Sequence, residues 1–204
     1  MKSFFMKNSI HLLTISGVAA LVYTAVNWSI MPVPQRMTGL ICMAYALHAW
    51  EEFRFPGGFM ETVGSNLNYS FSNPRSTELL VFTAIFCVSF VPFIFSHVAW
   101  LAMTPMLLGI MEVIAHFGMI RLFKLERFYS SGLISALIML PISIYSITYV
   151  VQNGLMHPVQ WLFPILYLFM VMFISQLILL KINGMKLIDF LKTRRAAFAR
   201  LLQK

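Results

Sequence analysis

Residues 48–52 read His-Ala-Trp-Glu-Glu and close an apolar run; a second pair, Glu112 and His116, lies late in another apolar run. In a helix each residue turns by about 100°. His48 and Glu52 then stand about 40° apart, with Glu51 about 60° to the other side of His48. Tyr45, three residues before His48, joins the Glu52 edge, so all four fit within an arc of about 120°. Glu112 and His116 also share a face, and two ligands at i and i+4 on one helix is a known metal-binding arrangement. A carboxylate near the middle of a membrane costs about 2.5 to 3.5 kcal/mol, less toward the interface. Three glutamates and two neutral imidazoles therefore call for a compensating cation. The mixed nitrogen and oxygen donors suit zinc, iron or manganese better than calcium or magnesium, as one ion or two. The expected metal set is His48, Glu51, Glu52, Glu112 and His116. Glu51 is a bridging ligand or general base, and Tyr45 is the second candidate catalytic residue. A proton relay without a metal, or interfacial glutamates paired with Arg54 or Arg121, are the competing readings.

Such a cluster must be positioned by elements that cross a bilayer. Of the 204 residues, 59% are hydrophobic and 11% charged, whereas soluble domains carry about 25% charged residues. The chain reads as an all-α, polytopic membrane bundle. A span needs about 20 apolar residues, and six are expected, near 8–31, 37–53, 78–96, 98–120, 131–151 and 159–181. Pro32 and Pro34 end the first, Pro56-Gly57-Gly58 the second, and a tight turn near Ser96-His97 separates the third and fourth. Lys2 and Lys7 before a long apolar stretch resemble a signal peptide, and an uncleaved first span is expected.

Basic residues set the direction. Alternate connecting segments hold fourteen Lys and Arg residues against one, Arg36, on the other side. The positive-inside rule then places both termini in the cytoplasm, as expected of a plasma (inner) membrane protein. The basic excess follows the spans and does not describe a nucleic-acid groove. Cys42 and Cys87 lie inside apolar runs, form no CxxC pair and predict neither disulfide nor zinc knuckle. The bundle is expected over 1–182. The tail, 183–204, reads as a basic amphipathic helix with Leu187, Leu191, Phe198 and Leu201 on one face, suited to anionic lipid headgroups. The polar stretch 54–77 predicts an interfacial loop or short surface helix on the cytoplasmic side.

The second and fourth spans run in the same direction, so both His/Glu pairs fall in one layer near the cytoplasmic face. Gln176, Ser175, Ser130, Ser131 and His11 share that layer and read as structural hydrogen bonders, with Gln176 and Tyr45 the candidates beside the ligands. His97 and His157 fall on the opposite side. Trp28, Trp100 and Trp161 read as an interfacial belt.

The motif His48-Ala-Trp-Glu51-Glu52, the following Phe55-Pro56-Gly57 and the Glu112…His116 pair together resemble the HXXEE family of predicted membrane proteins. The segment Ser130-Ser131-Gly132-Leu133 stands where that family leads one to expect something closer to Asn-Pro-Gly. The resemblance covers about residues 38 to 150. It implies the site residues and, since the family has no settled activity, almost nothing of a reaction. The residues themselves favour a metal-dependent membrane enzyme acting on a lipid-like substrate, with hydrolysis ahead of oxidation. A transporter would need polar residues through the outer halves of the spans, which are apolar apart from Ser, Thr and Asn27. A scaffold role leaves the cluster unexplained.

Overall fold

The computed structural model describes residues 2–67, 74–95 and 97–203. The turn at Ser96 and the stretch with Asn68 and Asn73 lie outside them. All the regular structure among the described residues is helical. In chain order the helices are α1 (Lys2–Val26), α2 (Val33–Phe53), α3 (Phe59–Leu67), α4 (Pro74–Ile94), α5 (Ala99–Leu122), α6 (Leu133–Gln152), α7 (Leu162–Ile182) and α8 (Leu187–Gln203).

Five of these, α1, α4, α5, α6 and α7, are long and apolar enough to cross a membrane. The sixth expected span corresponds to α2, 21 residues long and so about 31 Å. It is less apolar because it is the inner helix, packed against α1, α4, α5 and α6. A helix wrapped by other helices need not present an apolar surface to lipid. Its buried positions include Ala44, Ala46 and Ala49 beside His48, Glu51 and Glu52. By contrast α7 turns Phe169, Met172, Phe173 and Leu177 outward and lies at the rim of the bundle.

Several ends differ from the sequence reading for identifiable reasons. Helix α1 stops at Val26, not near 31, and Pro34 sits in the first turn of α2, where its missing N–H is harmless. The α1–α2 turn is fixed by Arg36, whose Nε donates to the Met31 carbonyl at 2.8 Å and whose guanidinium stacks over Trp28. The stretch 54–77, expected as an interfacial loop or short surface helix, does carry the short helix α3, but its last residues already belong to α4.

Close helix approach depends on small residues. A Cβ at Gly39 would collide with Thr24 of α1, and one at Gly109 of α5 would stand 2.6 Å from the Ser143 hydroxyl of α6. Helix α4 widens to a π-turn over Phe86–Phe90, ahead of Pro92. With no N–H at Pro92, the Cys87 carbonyl lacks an acceptable donor five residues on. Tyr167 of α7 fills the gap, donating its hydroxyl to that carbonyl at 2.9 Å. Both cysteines are free thiols. The tail helix α8 packs Phe190 and Ala197 inward, against α7 and α3, while Leu191 and Phe198 face outward.

Candidate metal centre

Helices α2 and α5 bring their late turns together. His48 and His116 meet edge to face, ring centroids 5.2 Å apart. Glu52 Oε1 stands 3.5 Å from His48 Nε2 and 3.7 Å from His116 Nε2, and Glu112 Oε2 is 3.7 Å from His48 Nε2. These separations exceed the 2.7–3.2 Å of an N–H···O hydrogen bond. They come close to the spacing of about 3.4 Å between two ligands of one tetrahedral ion with bonds near 2.0–2.2 Å. One ligand atom from each of His48, Glu52 and His116 lies within 4.8 Å of the others, and all three residues are buried. This trio can hold a metal ion.

The opposite edges of both imidazoles support that geometry. His48 Nδ1 lies 3.0 Å from the Gly132 carbonyl, which can only accept, so Nδ1 carries the proton and Nε2 presents its lone pair to the cluster. His116 Nδ1 lies 2.9 Å from the Ser130 hydroxyl. Its Nε2 is buried and has no hydrogen-bond partner. A lone pair aimed at a carboxylate, with nothing between, is repulsive; a cation there reconciles the two. The chain therefore fits a metal at this point by the chemistry of its donors as well as by distance.

Glu51 is not brought to the trio. One oxygen accepts the Tyr129 hydroxyl at 2.8 Å and the Ile134 N–H at 3.0 Å; the other accepts the Ser135 N–H at 2.7 Å and the Ser135 hydroxyl at 2.5 Å. Ile134 and Ser135 belong to the first turn of α6, whose N-cap, Gly132, has no side chain to serve its free N–H groups. Glu51 supplies that cap from α2, and the positive end of the helix dipole favours its charge. Burial and the adjacent Glu51 carboxylate hold the Tyr129 hydroxyl well above its usual range, so it stays a donor. Ser135 also lies 3.0 Å from His48 Nδ1. Glu51 thus reaches the candidate centre indirectly, through Ser135 and then His48, a carboxylate brace behind an imidazole.

The turn before α6 does the rest. Gly132 has φ +105°, and a Cβ there would stand 2.5 Å from His116 Cε1 and 2.8 Å from His48 Cε1. Only glycine fits between the two rings. Ser131 ties the turn to the Gly57 carbonyl. From the sequence Ser130 and Ser131 read as hydrogen bonders and Gly132 only as part of a family-like turn, while Tyr129 and Ser135 gave no reading. The available signal was a glycine just before an apolar helix, with a serine three residues later.

Tyr45 is fully buried and its hydroxyl donates to the Pro105 carbonyl of α5 at 2.7 Å, which commits it to joining helices. His11 instead packs edge-on against Trp50, whose indole N–H donates to Thr14.

A cavity of about 190 Å³ reaches the trio between α2, α4, α5 and α7; His48, Glu52, Glu112, Tyr45 and Gln176 line it along with apolar side chains. On its other side Glu52 borders a smaller cavity of about 110 Å³, walled by Glu61 of α3 and Glu78 of α4. Phe59, opening α3, lies 6.1 Å ring to ring from His116.

Four apolar helices around a less apolar inner one and a fifth at the rim, with imidazoles and a carboxylate converging inside, define a membrane-type helical protein with a possible metal site. The chain belongs to the family described as "Protein of unknown function with HXXEE motif", which matches residues 39–146, within a few residues of the stretch that carries the resemblance. The motif's own histidine and second glutamate are two of the three members of the trio. No curated protein and no solved structure matches the chain.

Proposed function

We propose that the protein is a membrane-embedded, metal-dependent enzyme acting on a hydrophobic substrate at the cytoplasmic leaflet, with hydrolysis as its reaction. The observation that carries this is the unpartnered, buried His116 Nε2 facing Glu52 beside the lone pair of His48, next to a cavity that His48 and Glu52 line. Two histidines and one glutamate form a ligand set used by catalytic zinc, which leaves a fourth position for water or substrate. Zinc, iron and manganese all suit these donors. When bound, such an ion lowers the pKa of water toward neutrality and polarises a carbonyl.

The chain's own groups then have distinct tasks. His48, Glu52 and His116 hold the ion. Glu112, partly exposed and lining the same cavity, is the general base; it takes a proton from the attacking water and returns it to the leaving alcohol or amine as the acyl bond breaks. Glu51 acts as the brace described above, so the charge left at the centre is that of Glu52 and Glu112, matched by one divalent ion. The cavity beside Glu61 and Glu78 gives water an aqueous route to Glu52. Hydrolysis is favoured over oxidation because it needs only water. The topology that belongs with this reading has six spans, α2 included, and both termini cytoplasmic, with α8 on the anionic leaflet.

The test is metal analysis of the purified protein beside His48→Ala and His116→Ala variants. We expect about one divalent ion per chain in the parent and a loss in both variants. Equal, negligible metal in all three refutes the proposal.

A further inference from the structure

We infer that the cavity between α4 and α7 selects an uncharged, single-chain amphiphile, held at its polar junction by the Gln176 side-chain amide. This rests on the reading of the His48–Glu52–His116 trio as the reacting centre and names what would be brought to it.

The first observation is charge. Among the described residues lining the cavity the ionisable side chains are Tyr45, His48, Glu52 and Glu112, with no lysine or arginine. A divalent ion bound at the trio would offset the Glu52 and Glu112 carboxylates. An anionic head, such as a phosphate or free carboxylate, meets no lysine or arginine side chain in that wall. Burying an unpaired charge in an apolar wall is far more costly than burying a hydrogen-bonded neutral group. A loaded centre gives an ammonium head no net attraction either.

The second observation is Gln176. Its Nε2 is buried and has no hydrogen-bond partner, and the residue lines the same cavity as the trio. A buried amide donor calls for an acceptor, and an ester, amide or hydroxyl oxygen of a ligand supplies one without introducing charge.

The third is size and direction. At about 30 Å³ for each water- or methylene-sized group, a cavity of about 190 Å³ seats a small head and a few carbons of one chain, not two chains side by side. Leu80, Val81 and Ile85 of α4 make an apolar wall. Met172, at the rim, is about half exposed at 47% on the outward face of α7. The remainder of the chain leaves there, among the lipid-facing side chains of that helix.

The test uses the full-length protein in phosphatidylcholine nanodiscs, loaded with zinc, and three oleoyl probes: monooleoylglycerol, oleate and oleylamine. Saturable binding of radiolabelled probe is measured together with metal content. Monooleoylglycerol should bind at least about tenfold more tightly than either charged probe. Gln176→Leu should weaken it about tenfold, and Leu80→Trp, which fills the cavity, should abolish it. Both variants should keep the metal content of the parent, which reports an intact fold. Equal or tighter binding of oleate or oleylamine overturns the inference, as does unchanged monooleoylglycerol binding in both variants. If no metal is present but the neutral probe is still preferred and both variants lose it, the metal reading fails and the substrate class stands. If metal is bound but the preference is absent, the reverse holds.

Discussion

Replacing Gly132 by alanine tests the candidate centre without touching a ligand. The new Cβ would stand 2.5 Å from His116 Cε1, 2.6 Å from its Nε2 and 2.8 Å from His48 Cε1. Ordinary contact begins near 3.4 Å, so the His116 ring must retreat by about 0.9 Å, whereas metal–ligand distances tolerate only about 0.2 Å. At least one imidazole should leave the ion. Loss of a supporting residue typically lowers metal affinity by about 10–100-fold; here both ligands are pushed directly, so at least about 100-fold is expected, equivalent to roughly 2.7 kcal/mol. The backbone at φ +105° adds strain of about 1–3 kcal/mol against folding. Competition with a graded chelator, read by mass-spectrometric metal content, gives the affinity, and thermal unfolding in detergent gives the strain. Gly118→Ala is the control. A Cβ there meets nothing within 4 Å, so metal binding should be unchanged and stability higher by about 0.5–1 kcal/mol. Wild-type metal affinity in Gly132→Ala would mean that the two rings do not face one ion across this glycine.

Glu51→Gln should destabilise the protein by about 3 kcal/mol, because a charged acceptor serving four donors at the start of α6 is lost; thermal unfolding measures this, and metal should still bind when supplied in excess. Ser135→Ala removes the link between Glu51 and His48 and should lower metal affinity about tenfold, read by the same chelator competition. Tyr45→Phe deletes the hydroxyl bonded to the Pro105 carbonyl and should cost about 1 kcal/mol of stability with metal content unchanged; a lost ion in that variant would place Tyr45 in the centre after all. Arg54→Gln breaks a bidentate pair with Glu78 at the surface, 2.7 and 2.9 Å, and its effect on unfolding should stay below about 1 kcal/mol.

Much of the site was legible because its spacing is local. His48 with Glu52 and Glu112 with His116 are each four residues apart, and helix geometry alone puts each pair on one face. The expectation that the two pairs share a layer agrees with the contacts that join them. The same geometry already separated Glu51 from Glu52 by about 100°, enough for neighbouring carboxylates to serve different partners. What could not be read was which partner. Glu51 meets Ser135 and Ile134 more than eighty positions along the chain, and such a contact leaves no periodic trace in either segment. The five apolar spans were plain from composition. Helix α2 is harder to class, since the residues of its motif, His48, Glu51 and Glu52, also lower its apolarity.

Adjacent glutamates on α2 hold two different things: Glu52 faces the candidate ion site, and Glu51 grips the helix end that orients the His48 imidazole. The grip is made from protein atoms alone. Were an ion to bind there, the bundle could assemble first, with its imidazoles already aimed, and take the ion up afterwards. In a small zinc finger the ion gathers the chain around itself; here it would be the last component to arrive, and a chelator should strip it and leave the scaffold standing.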